Sequence, residues 1–186
     1  MSNKVCIIYT STNGLHQTYD NVSKKNMYGI ARLIALSYSI GYYDKDNKYI
    51  EEKRVNKILT PKSITFCQEA LKFHKISREE ADKKGECSNL IIKNLKEELK
   101  KEKVKIIISH NLEFHLKTIQ AECFRTCTII DFSKYILIDT ISFQHSYSYP
   151  KLVDLEKKLK VTKSKNTIDS ISKVFGNLYS TYETPL

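Results

Sequence analysis

No apolar stretch in this chain approaches the roughly 20 residues that a bilayer-spanning helix needs, so no membrane anchor is expected. The opening MSNKVCIIYT holds only a short strand-like run, where a secretory signal would need a longer apolar region and a small-residue cleavage site. A cytoplasmic protein is therefore expected, in the host cytoplasm or a virion if the source is viral. Glycine-, serine- or proline-rich linkers, internal repeats and runs of like charge are also missing, so residues 1–186 read as a single domain. No CxxC pair occurs among Cys6, Cys67, Cys87, Cys123 and Cys127. An odd, scattered set of this kind points to free thiols, with Cys123 and Cys127 packed on one helix rather than binding metal.

Arginine is scarce too. The net charge of +10 rests almost wholly on lysine, the arginines being Arg32, Arg54, Arg78 and Arg125. Lysine is a mobile point charge suited to phosphates, whereas bidentate reading of bases favours arginine. The balance favours sequence-independent contact with nucleic acid over base-specific reading. A lysine-, isoleucine- and asparagine-rich composition equally reflects an AT-rich genome, such as those of large DNA viruses, and charge alone does not separate the two.

The hydrophobic pattern predicts strands over 4–10, 30–43 and 48–59, the last two joined by the tight turn DKDN at 44–47. A short helix is expected over 63–71. A second, over 77–85, has Ser77 as N-cap, Glu80 three residues on and Gly85 at its far end. Leu90, Ile91, Leu95 and Leu99 share one face of an amphipathic helix over 88–103. Strand 104–109, helix 112–125, strand 134–140 and helices 150–160 and 166–180 complete the order. Three consecutive strands followed by alternating helices and strands give an α/β fold with a mixed sheet.

Several segments together carry a family resemblance. VCIIYTSTNGL is similar to an apolar strand leading into D-x-E-T-T-G-L, FHKISREEADKKG to an F-H-G-I-T segment, SHNLEFHLKTIQAEC to H-N-x-x-F-D, and ILIDT with YPKLVDLEKKLKV to an I-D-T strand and its following helix. The chain thus resembles, over nearly its full length, the DEDDh (DnaQ-like) 3′-5′ exonucleases, the branch that includes the epsilon subunit of bacterial DNA polymerase III. The resemblance implies a ribonuclease-H-like three-layer fold with a mixed five-stranded sheet and helices on both faces.

The departures from the family lie at its catalytic positions. The resemblance implies two divalent ions held by four carboxylates, with a histidine to activate water. Those positions here are Tyr9, Ser11, His115 and Asp169, with Ser164 in place of the histidine. Mg²⁺ needs anionic oxygen ligands to offset its dehydration, and one carboxylate does not hold two ions about 3.5–4 Å apart. No metal, cofactor or catalytic residue is therefore expected, although His115 with Asp169 leaves a single softer ion open. Asp20, Glu113 and Asp139 lie on nearby segments; Asp139 reads as a structural residue at a strand end, Glu113 as solvated, and His74, His110 and Asn111 as supports of local turns.

The resulting expectation is a catalytically inactive exonuclease-fold protein that binds nucleic acid or a protein partner in a replication, transcription or virion assembly. A divergent metal-dependent 3′-5′ exonuclease and a purely structural assembly protein are the alternatives. Single-stranded nucleic acid is expected to make phosphate contacts with Lys151, Lys157, Lys158, Lys160, Lys163 and Lys165, opposed in that segment only by Asp154 and Glu156. Tyr147 and Tyr149 stand nearby as candidates for base stacking.

Overall fold

The computed structural model describes residues 3–61, 64–142, 149–162 and 164–180. Lys163 and Tyr147, both expected at the nucleic-acid surface, lie outside them. Five strands, β1 (Val5–Thr12), β2 (Leu33–Tyr43), β3 (Tyr49–Ile58), β4 (Ile106–Ser109) and β5 (Ile136–Asp139), form one sheet in the order β3-β2-β1-β4-β5. The first three are an antiparallel meander. β4 runs parallel to β1, with Val5 opposite Ile106, and β5 runs parallel to β4.

Alternation along β1 sends its side chains to two cores, as a two-residue period requires. Cys6 and Ile8 join a core closed by helices α3 (Ser88–Lys101) and α4 (Leu112–Arg125), through Ile91, Ile92, Leu95, Leu99, Leu116 and Ile119. Val5 and Ile7 face the other side, where Ile168, Ile171 and Phe175 of helix α6 (Thr167–Ser180) cover them. Helix α5 (Leu152–Lys158) packs on α6 through Leu155, Val174 and Leu178. Helices therefore lie on both faces of a mixed five-stranded sheet, the three-layer arrangement that the family resemblance implies.

The turn between β2 and β3 is held by Asp44, whose Oδ1 accepts from the backbone N–H of Asp46 (3.0 Å) and Lys48 (2.9 Å) while Asn47 takes a left-handed conformation. β2 begins at Leu33 rather than residue 30, because residues 30–32 belong to the end of a long anchored loop. Helix α1 runs Gln68–His74, later than expected: Ile64 is buried and the stretch 64–67 is irregular, so its apolar residues serve tertiary packing instead of a helical face. In α2 (Arg78–Lys84), the Ser77 hydroxyl caps Glu80 N–H at 3.1 Å, while the Glu80 carboxylate turns to Lys84. Gly85 after it is required by close approach: a Cβ there would sit 2.6 Å from Thr60 N. β5 is shorter than expected because a 3₁₀ turn, Phe132–Lys134, precedes it.

Candidate functional site

In a sheet with parallel neighbours, sites form beyond the carboxyl ends of the strands. Here β1, β4 and β5 all end on one side, where α4 begins. Asn111 enters α4 in a left-handed conformation and its own side chain caps nothing. The cap comes instead from Asp139 at the end of β5, whose two carboxylate oxygens accept from Asn111 N–H (2.9 Å), Leu112 N–H (2.7 Å) and Ile141 N–H (3.0 Å). An anion suits the positive end of a helix. His110 completes the junction: its Nε2–H donates to the Pro150 carbonyl at 2.9 Å and Nδ1 accepts from the Thr140 hydroxyl at 2.8 Å, tying β4 to the approach to α5.

One turn into α4 stands His115, 4% exposed. Its Nδ1 receives the backbone N–H of Thr10 (3.1 Å) and the Thr10 hydroxyl (2.7 Å). With Nδ1 occupied as an acceptor, the neutral ring carries its proton on Nε2, a tautomer inferred from this network. Burial depresses its pKa to about 3, a backbone hydrogen bond at His110 opposes that shift only in part, and the charges of His110 and His16 add to it. The ring of Tyr9 lies 4.8 Å from it, tilted by 54°, and burial raises the Tyr9 phenol above its ordinary value. His115 thus holds the end of β1 against α4 as a neutral, buried group.

Tyr9 and Ser11 open onto a cavity of about 390 Å³, also lined by Ser37, Asn56, His74 and Ile168. No carboxylate lies in its described lining. The charged group there is Lys57, whose ammonium pairs with Glu86. His74 Nδ1 accepts from Ile76 N–H at 3.0 Å, and its buried Nε2 has no hydrogen-bond partner among the described residues.

Asp169 does not reach this cavity. Its Oδ1 pairs with the guanidinium of Arg54 on β3, its Oδ2 accepts from Asn166 Nδ2 at 2.8 Å, and its N–H donates to Asn166 Oδ1 at 3.0 Å. This reciprocal cap fixes the start of α6. Asp169 instead lines a separate depression of about 420 Å³ with Tyr49, Glu51, Arg54 and Lys173. α6 presents Thr167 and Ile168, the latter 3% exposed, beside Tyr9 and Ser11. Ser164 has a buried hydroxyl with no partner among the described residues.

A pair of divalent ions does not fit this donor set. Tyr9, Ser11 and Ile168 bring no negative charge at neutral pH, the second ring nitrogen of His115 is a protonated donor, and Asp169 is bound to Arg54. For a single softer ion, His115 Nδ1 is engaged by Thr10 and the Asp169 carboxylate by Arg54 and Asn166. Glu113 is exposed and pairs with Lys117 at 2.7 Å, and Asp20 accepts from the Thr18 hydroxyl at 3.1 Å. Among the described residues, no three His, Cys, Asp or Glu side chains converge as a metal would require.

Lys151, Lys157, Lys158, Lys160 and Lys165 are all exposed along α5 and the segment after it, as is Tyr149 at 84%. Glu156 is buried and accepts from the Ser170 hydroxyl at 2.7 Å, so Asp154 is left as the exposed acid of α5. The α5–α6 connection leads from these lysines to Asn166 and Thr167, which line the Tyr9 cavity. Arg54 and Ile168 were not singled out by the sequence, although the spacing Ile168, Ile171, Phe175 already marks Ile168 as part of the buried stripe of α6.

The fold is similar to that of part of exonuclease I. A product-bound exonuclease I structure superposes with a TM-score of 0.73 at 14% identity, over 98% of this chain and 44% of that one. E. coli exonuclease I in complex with a 5cy-dA13 oligonucleotide gives 0.72 at 13%, over 97% and 41%. An ExoI/SSB-Ct complex gives 0.71 at 13%, over 98% and 42%. The chain spans less than half the length of these proteins. No protein-family model matches the sequence, and no curated protein matches it either. At such identities the likeness is one of fold.

Proposed function

We propose that this is a non-catalytic protein of the DEDDh exonuclease type that binds single-stranded nucleic acid by phosphate contacts. The observation that carries the reading is the cavity at the end of β1. Where the fold of this family would gather carboxylates around two ions, the chain offers Tyr9, Ser11 and Ile168, in a lining without carboxylates beside a lysine-rich segment. Losing anionic ligands removes both the metals and the repulsion that fixed carboxylates exert on phosphates. Support for the ligand class comes from the exposed lysines of α5, from the net charge of +10 and from the oligonucleotide held by the E. coli exonuclease I neighbour.

The test is a fluorescence anisotropy titration of a labelled single strand across a potassium chloride series, run beside a digestion assay in Mg²⁺ and Mn²⁺. The reading expects salt-dependent binding, with log affinity falling by roughly 0.7 per neutralised phosphate per log unit of salt, and an intact strand. Metal-dependent shortening of the strand from its 3′ end would establish the divergent exonuclease instead. Absence of binding at low salt would leave a protein-binding or structural role.

A further inference from the structure

Between β1 and β2 the chain makes a loop over residues 13–32 that is far more firmly anchored than a connection needs. Its neck is closed by Gln17 N–H to Gly29 O (2.7 Å) and by Asn13, which exchanges hydrogen bonds with Arg32 through N–H to carbonyl (3.0 Å) and Oδ1 to N–H (2.7 Å). Its tip is tied within itself by Asn26, whose Oδ1 accepts from Ser23 N–H and whose amide donates to Asn21 O. The loop then lies along α4. His16 stacks on Phe114 at 4.2 Å and 10°, with Nε2–H donating to Phe114 O. Lys117, 9% exposed, donates to Tyr19 O, and Arg125, equally buried, donates to Met27 O and Ile30 O. Glu122, wholly buried, pairs with Arg125 (2.8 Å) and Arg32 (3.0 Å).

Burying cations is costly unless they are well satisfied. Two are buried here to hold a loop whose outward side chains join neither core: Tyr19 is 87% exposed and Tyr28 79%, with Lys24 and Lys25 exposed between them. The anchors at Lys117 and Arg125 are eight residues apart on α4, roughly 12 Å at the helical rise, so the backbone that carries the tyrosines is tied to the helix at both places. Exposed aromatic rings on an anchored backbone, interleaved with lysines, are what an unpaired strand uses, bases on the rings and phosphates on the ammonium groups. We propose that this loop is a second contact surface for single-stranded nucleic acid, with Tyr19 and Tyr28 stacking on bases and Lys24 and Lys25 holding the backbone between them. It rests on the reading of the protein as a single-strand binder and adds a place where bases are felt as well as phosphates.

The experiment compares the parent with Tyr19→Ala/Tyr28→Ala, Tyr19→Phe/Tyr28→Phe and Lys24→Gln/Lys25→Gln by anisotropy, on a labelled oligothymidine and on an abasic strand of equal length. The parent is expected to prefer the base-bearing strand. The alanine pair should weaken that binding by about tenfold or more and leave the abasic strand unchanged, while the phenylalanine pair retains the preference. The glutamine pair should weaken both strands alike and flatten the salt slope. High exposure of both tyrosines means that the variants fold, which circular dichroism checks. If the alanine pair binds oligothymidine as the parent does, the loop assignment falls while the binding reading stands. If the parent binds neither strand, both fall together.

Discussion

Arg54, on the outermost strand of the sheet, reaches across to the Asp169 carboxylate in the first turn of α6, and the same guanidinium meets Glu51 at 2.5 Å. The pair fastens the meander edge to the helix layer and takes the one carboxylate that the family resemblance aligned with a metal away from the cavity at Tyr9. Asp169→Ala removes this ion pair and the reciprocal cap with Asn166. It is expected to lower stability by about 1–2 kcal/mol in urea unfolding and to leave single-strand affinity unchanged.

His115 makes stability depend on pH. In the unfolded chain it titrates near about 6.5, in the folded protein at about 3, because burial disfavours the charged ring. Between these values the unfolded state binds the extra proton, so the contribution is whole above about pH 6.5 and is lost as pH falls toward about 3. His115→Gln should lessen the fall in unfolding free energy with acidification, by up to about 1.4 kcal/mol per pH unit, relative to the parent measured in parallel.

Because Asp169 is held by Arg54 and Ile168 lines the Tyr9 cavity, a designed metal site places its last carboxylate at position 168. The quadruple variant Tyr9→Asp/Ser11→Glu/His115→Asp/Ile168→Asp is expected to bind Mn²⁺ in calorimetry. The triple variant that keeps Ile168 is expected to show no heat of binding. Equal binding by both would mean that α6 turns to present Asp169 once Arg54 lets it go.

Neutralising Lys157, Lys158 and Lys160 to glutamine should weaken single strands of all sequences alike, with the salt slope reduced by up to roughly 0.7 for each phosphate that no longer meets a cation. An unchanged slope would assign these residues to solvent.

Glu122 has no exposure at all, and the loop over 13–32 hangs on it through Arg32 and Arg125. Glu122→Ala leaves Arg125 buried and uncompensated, so a loss of about 3–5 kcal/mol is expected. Hydrogen exchange should show the amides of Gln17 and Ala31 opening before those of β1.

Much of this was legible in the sequence, and the reasons differ from place to place. The alternation of Val5, Cys6, Ile7 and Ile8 between two buried faces declared a central strand, and Ser77 with Glu80 and Asp44 before Asn47 declared a cap and a turn through local chemistry alone. What the sequence left open turns on rotation and distance. Neighbouring residues on a helix point about 100° apart, so motif spacing did not tell which α6 residue faces the Tyr9 cavity, whereas the apolar period of α6 marks Ile168 as inward. Thr10 as the partner of His115, and Arg125 as the anchor of carbonyls 95 and 98 residues earlier, are tertiary facts with no local signature.

The cap that Asp139 gives α4 has a consequence for the order in which the chain organises itself. Asn111 starts the helix in a left-handed turn without capping it, and the oxygens that satisfy the first N–H groups arrive 27 and 28 residues later. Nucleating a helix is unfavourable even with a good local start. The first turn of α4, with His115 in it, therefore depends for its cap on β5 pairing with β4. During synthesis the helix precedes its cap, so the first N–H groups of α4 gain these acceptors only once residue 139 has emerged and β5 lies beside β4.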